Sequence, residues 1–120
     1  MTRSEITQQY FNENLQVKVG DRFSEMLSFW ITVVKVLDTG EILTIESNKK
    51  DIQVYKSDED FRYNCSYKSE SMKNKYWIDY IGNNLEKTNQ LVSDWRSNNR
   101  HTDKVVGQRQ IRIDQFIYDI

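Results

Sequence analysis

Residues 28–37 read Ser-Phe-Trp-Ile-Thr-Val-Val-Lys-Val-Leu, and this stretch decides the fold. Its β-branched and aromatic side chains favour an extended backbone. Residues 38–41, Asp-Thr-Gly-Glu, predict a hairpin turn with glycine at the position that needs a positive φ. Residues 42–46, Ile-Leu-Thr-Ile-Glu, predict the returning strand. The centre of the chain is therefore expected to be an antiparallel hairpin.

Further strands are predicted on both sides of this hairpin. Before it, the alternation of Val17 and Val19 indicates a strand, with a turn at Gly20-Asp21. After a turn at 47–50, residues 51–56 alternate as a third strand of the central region.

Past the polar loop 57–60, apolar residues recur with period two over residues 61–67. This period predicts a half-buried strand with Cys65 on its apolar side, and it favours the core for the aromatic residues of the segment. Residues 75–81 fit either an aromatic strand or the last turns of a helix, and Gly82 is expected to end either one.

Helical periodicity is confined to two segments. Residues 4–14 predict a short helix capped by Ser4. Residues 84–99 predict a longer helix, whose apolar face would hold Leu85, Leu91, Val92 and Trp95. At the C-terminal end the apolar residues change parity between positions 113 and 116, which predicts a bulge near 114–115.

These elements predict an α+β domain with about six strands and two or three helices. The short strands and tight turns are typical of a small bent antiparallel sheet or a partial barrel. No linker or repeat interrupts the sequence, so residues 1–120 are expected to form a single domain.

Four features follow one another between Val17 and Lys56: the run 19–23 (Val-Gly-Asp-Arg-Phe), the strand that ends Val-Val-Lys-Val-Leu, the turn 38–41 and the strand after it. With these residues the segment resembles a small SH3-like barrel of the KOW or Tudor kind, which would make the predicted sheet an SH3-like partial barrel. The resemblance implies a binding module, since such barrels recognise segments of nucleic acid or protein.

Composition narrows the cellular setting. The net charge is −1 and there is one cysteine, so no disulfide can form within the chain. A lone cysteine fits a reducing compartment, and the N-terminal residues lack the apolar region of a signal peptide. Alanine and proline are absent, which indicates an AT-rich genome such as that of a low-GC bacterium or a bacteriophage. The expected location is the bacterial cytoplasm, which is the host cytoplasm for a phage protein.

Residue types suited to catalysis are scarce. One cysteine and one histidine cannot supply a usual zinc site, and the acidic run 58–60 lacks the spacing of a calcium loop. Cys65 is expected to be buried and His101 to lie in an exposed loop. We therefore expect neither a cofactor nor a metal, and a protein that is not an enzyme. A small enzyme with a carboxylate-based active site is the second alternative for the function of the protein.

A basic cluster near the C-terminus is the best positive signal for a ligand. Such a cluster with few acids is typical of phosphate binding. The candidate nucleic-acid-binding residues are Arg96, Arg100, His101, Lys104, Arg109 and Arg112. An ordinary solvated helix end is the competing interpretation, because the chain as a whole is not basic.

Aromatic residues provide the other candidate surface. If Tyr76, Trp77 and Tyr80 are exposed together, they would form a protein-binding patch, because aromatic residues dominate binding hot spots. The leading hypothesis is a small regulatory protein that docks on a protein partner through such a patch or through the helix 84–99. Nucleic-acid binding is the first alternative, and no membrane partner is expected.

Overall fold

The computed structural model describes residues 16–25, 29–69, 74–98 and 103–113, together with Glu5, Gln9, Tyr10 and Glu13; for 25, 66–69, 74–77 and 103 it describes the backbone alone. This part of the chain contains nine strands and two α-helices. In chain order they are β1 (Asp21–Glu25), β2 (Phe29–Val36), β3 (Ile42–Glu46), β4 (Gln53–Tyr55), α1 (Asp58–Asn64), β5 (Ser66–Ser69), β6 (Asn74–Trp77), β7 (Asp79–Asn83), α2 (Leu85–Asn98), β8 (Asp103–Val106) and β9 (Arg109–Arg112). The α+β class predicted from the sequence is confirmed.

The central hairpin forms as predicted. Strands β2 and β3 pair antiparallel, and their turn holds Gly40 at φ +102°. The register shifts between Val33 and Lys35, so the residue between them is a bulge in β2. A bulge increases the local twist of a strand, which bends the sheet at its centre.

The hairpin lies inside a five-stranded sheet with the order β4-β3-β2-β1-β7, and all the described pairings in it are antiparallel. Strands β5 and β6 form one separate hairpin, and β8 and β9 form another. In the described residues β4 and β7 do not pair, so the sheet is open and no closed barrel is present. The resemblance to KOW and Tudor barrels stays a prediction.

Two apolar clusters lie on opposite faces of this sheet, because successive side chains of a strand point to opposite sides. The first packs around Phe23, Ile31 and Val33 of the sheet and is covered by α1. The second packs around Val34 and Leu43 and is covered by α2 and the β8–β9 hairpin. The other buried residues of the second cluster are Leu37, Ile52, Val92, Trp95, Ile111 and Ile113.

The prediction of a strand over 61–67 is wrong, because residues up to 64 belong to α1. Ser57 caps this helix by accepting a hydrogen bond from the Asp60 backbone N–H at 3.0 Å. The three acidic residues expected in a loop form its first turn, where negative charge suits the helix dipole. Only Phe61 of the helix is buried, whereas the Tyr63 side chain, expected in the core, is 73 % exposed. The helix-capping signal at Ser57 therefore outweighed the alternation of apolar residues, which had predicted a strand.

The boundaries of two other predicted segments also change. Val17 to Gly20 precede β1 rather than form a strand. The ambiguous residues 75–81 belong to the strands β6 and β7, apart from Ile78 between them. Gly82 does not end the segment but lies inside β7 at φ +116°. The register between β7 and β1 shifts between Arg22 and Phe23, so β7 carries a bulge there. The positive φ of Gly82 allows the backbone to form this bulge.

The long helix is confirmed as α2, with Thr88, Val92 and Trp95 on its buried face. Asn84 caps it by accepting a hydrogen bond from the Lys87 backbone N–H at 2.9 Å. Leu85, which the periodicity placed on the buried face, is 55 % exposed because it lies in the first turn. No described helix is long and apolar enough to cross a membrane.

Two predictions near the chain ends rest partly outside the described residues. Glu5, Gln9, Tyr10 and Glu13 have a helical backbone, which agrees with a helix over 4–14. The bulge predicted near 114–115 lies outside the described residues.

Candidate functional site

A groove of about 230 Å³ opens between one end of the sheet and the first half of α2. Its lining combines apolar surface with two basic side chains. The lining residues are Arg22, Trp30, Thr32, Ile45, Ser47, Lys87 and Leu91.

The floor of the groove follows from the strand register. Thr32 of β2 pairs with Arg22 of β1 on one side and with Ile45 of β3 on the other. Directly paired residues point to the same face of a sheet, so these three side chains form one row across it. Trp30 lies two residues before Thr32 and therefore shares the same face.

The wall of the groove comes from α2. Lys87 and Leu91 are four residues apart and lie one above the other on the helix surface. They flank the buried face of the helix, which Thr88 and Val92 form. The packing of α2 on the second cluster thus fixes the position of both side chains relative to the sheet.

Two cations lie over the Trp30 ring. The guanidinium carbon of Arg22 is 4.9 Å from the ring centroid, and Nζ of Lys87 is 5.2 Å from it. Both distances are within the range of cation–π attraction, which contributes about 0.5–1 kcal/mol at an exposed site. The Trp30 backbone N–H donates to Ser47 Oγ at 2.9 Å, which holds the end of β2 against the next turn.

The positive charge of the groove has no ionic partner within the part of the chain that the structure describes. There, carboxylates pair instead with Arg62, Lys104 and Arg109. Arg22 is half-buried, and its Nε lies 3.4 Å from Thr32 Oγ1. Burial lowers the pKa of Arg22, because desolvation disfavours the charged form. A bound anion would offset that cost.

The predicted basic cluster is spread over α2 and the β8–β9 hairpin. Lys104 pairs with Asp51, Nζ to Oδ2 at 3.2 Å, and Arg109 pairs with Glu41. Burial acts to raise the pKa of Glu41, but hydrogen bonds from Thr39 and the backbone, and the charge of Arg109, hold it below its usual value.

The remaining members of the cluster differ in their surroundings. Arg96 is half-buried near the end of α2, and Arg112 is exposed on β9 opposite Asp103. Arg100 and His101 lie outside the described residues. Two of the predicted phosphate-binding cations, Lys104 and Arg109, therefore already have acidic partners. The role of the whole cluster in nucleic-acid binding stays a prediction.

The predicted aromatic patch is only partly described. Tyr80 is half-buried on β7, where its ring lies 3.8 Å from the Tyr10 ring and 5.5 Å from the Phe23 ring, centroid to centroid. It packs against the first cluster. The backbones of Tyr76 and Trp77 belong to β6, and their side chains lie outside the described residues.

Cys65 is buried in the first cluster, as predicted. Burial raises the pKa of its thiol, and the nearby charge of Glu46 raises it further. The reactive thiolate form is thus disfavoured. The described residues contain no group of three or more His, Cys, Asp or Glu side chains that would hold a metal ion.

Sequence reasoning missed Arg22, Trp30 and Lys87 as site residues. Trp30 appeared only as part of a strongly apolar strand, and the two cations are far apart in the sequence. A usable signal was the alternation of β2, which places Trp30 on the face opposite Ile31.

Comparisons with known proteins found no match: no family model matches the sequence, and no curated protein or solved structure is similar to it.

Proposed function

We propose that this chain is a non-enzymatic binding protein that docks on a protein partner and takes a segment of that partner into the groove beside Trp30. The observation that carries the proposal is a tryptophan on an open groove, flanked by Arg22 and Lys87. Tryptophan and arginine are the residue types most enriched in binding hot spots.

The size of the groove supports a protein segment as the ligand. Pockets that enclose small molecules have volumes of roughly 300–1,000 Å³. A groove of about 230 Å³ is smaller, and it matches a few side chains of a larger partner. Ile45 and Leu91 supply half-buried apolar surface on which such side chains can pack.

The long helix takes part differently from the sequence-based hypothesis. Its solvent side is polar, with exposed residues such as Asn89, Gln90 and Ser93. It offers a partner little apolar surface there. The helix instead contributes to binding through Lys87 and Leu91, at the edge that faces the groove.

A random 12-residue peptide library, displayed and panned on the folded protein, tests this function without assuming the chemistry of the ligand. We expect enriched peptides whose affinity falls by at least ~10-fold, about 1.4 kcal/mol, when Leu91→Trp fills the groove. The affinities would be measured by fluorescence anisotropy with synthetic labelled peptides.

Ser93→Trp is the matched control, because it introduces the same indole side chain on the exposed side of the same helix. Peptides that bind through the groove keep their affinity for this variant. Enriched peptides that bind Leu91→Trp as well as the unmodified protein would contradict the proposal. A library without any enriched binder would contradict it as well.

A further inference from the structure

We propose that the segment accepted by the groove is acidic and apolar: its carboxylates pair with Arg22 and Lys87, and a neighbouring aliphatic side chain packs on Ile45 and Leu91. This inference rests on the proposed function and specifies the chemistry of the partner.

Charge complementarity is the first step. Arg22 and Lys87 each lie about 5 Å from the centre of one ring, so the groove carries two positive charges at one place. In the described residues no carboxylate forms an ion pair with either of them. By contrast, Lys104 and Arg109 of the last hairpin pair with Asp51 and Glu41. Carboxylates from a partner would complete the groove in the same way.

The desolvation of Arg22 determines how much binding affinity a partner's carboxylate contributes. Arg22 is half-buried and loses hydration, which lowers its pKa. A hydrogen-bonded pair between a guanidinium and a carboxylate is among the stronger polar contacts in proteins. A partner that brings a carboxylate therefore gains more affinity at Arg22 than at a fully solvated lysine, where an ion pair contributes little.

The apolar part of the ligand follows from the rest of the lining. Beside the two cations, the groove is lined by the apolar side chains of Trp30, Ile45 and Leu91, all of which are half-buried. A purely acidic segment would leave this surface in contact with water. An aliphatic side chain beside the acid would cover it, and the removal of this apolar surface from water favours binding.

A single strand of nucleic acid fits the groove less well. Its bases would stack on the face of an aromatic ring, but Arg22 and Lys87 already lie over Trp30. Phosphates would also meet a protein whose net charge is −1. A carboxylate needs only the outer side of the two cations and leaves the cation–π contacts in place.

The test compares labelled probes of equal length by fluorescence anisotropy at ~50 mM salt, a condition that preserves surface electrostatics. One peptide carries Asp and Glu beside Leu; the second replaces the acids by Asn and Gln; the third replaces Leu by Ser. A thymidine oligonucleotide is the fourth probe. We expect the first peptide to bind at least ~10-fold more tightly than each of the other three.

A charge exchange locates the effect. Lys87 is exposed, so Lys87→Glu leaves the core intact, and it is expected to weaken the acidic peptide by about 10-fold. The same variant should gain affinity for a peptide with Lys in place of the acids. Lys56→Glu is the matched control: its neighbour Tyr55 pairs with Ile42, at the end of β3 opposite to the groove.

The possible failures are distinguishable. Equal binding of the acidic and the amide peptides would overturn the acidic chemistry, while groove-dependent peptides from the display library would leave the proposed function intact. Preferential binding of the oligonucleotide, lost in Lys87→Glu, would replace the inferred protein segment by nucleic acid. If no display peptide depends on the groove, both the function and this inference fail.

Discussion

Replacing Phe23 by alanine is expected to lower the free energy of unfolding by about 3–5 kcal/mol, the usual cost of truncating a buried phenylalanine. Phe23 is fully buried at the centre of the first cluster. Its ring meets the rings of Phe61 and Tyr80 edge to face, both at 5.5 Å between centroids. The substitution removes contacts to α1 and β7 at once and leaves a cavity between them.

Urea denaturation followed by circular dichroism measures this effect. Domains of this size are stable by only about 5–15 kcal/mol, so the variant should lose a large fraction of its stability. Tyr63→Ala is the control: Tyr63 is an aromatic residue of similar size on α1 and is 73 % exposed. It should change the stability by less than about 0.5 kcal/mol. Equal effects of the two substitutions would contradict the assignment of the first cluster.

Replacing Asp21 by alanine should destabilise the domain by about 2–4 kcal/mol, because three hydrogen-bond donors would lose their buried acceptor. Asp21 is fully buried at the start of β1. Its carboxylate accepts hydrogen bonds from the Lys18 backbone N–H at 2.8 Å and from Asn83 Nδ2 at 2.9 Å. It also accepts a hydrogen bond from the Tyr10 hydroxyl, and thereby links the N-terminal segment, β1 and β7.

Tyr10→Phe separates the role of Asp21 from that of a single hydrogen bond. The phenylalanine keeps the ring that lies beside Tyr80 and removes only one donor. We expect a loss of about 1 kcal/mol, measured by the same denaturation experiment. If Asp21→Ala costs no more than Tyr10→Phe, the carboxylate does not join the three segments as described.

The local signals in the sequence were sufficient for the central hairpin. Strand propensity, a turn glycine and the returning strand all agreed over 28–46, and the structure confirms them. The prediction failed at 61–64, where a period of two competed with the cap at Ser57 and the acidic first turn. Three acidic residues after a capping serine gave the correct helical signal, and the alternating aromatic residues obscured it.

The groove was not predictable in the same way. Arg22 and Ile45 become neighbours of Thr32 only through the register of three strands, and the bulge in β2 lies between the groove and the hairpin turn. Lys87 reaches Trp30 only because α2 packs on the second cluster. Neither the register nor the position of the helix has a signature in the local sequence, so the site appears only when the elements are assembled.

The measurement that tests the central claim most directly is a two-dimensional NMR titration of the ¹⁵N-labelled protein with the acidic, leucine-containing peptide. We predict that the indole N–H signal of Trp30 shifts with the peptide concentration, and by much more than that of Trp95, which is buried in the second cluster. A Trp30 signal that stays in place while other signals of the protein move would show that partners bind elsewhere. It would contradict the groove as the binding site.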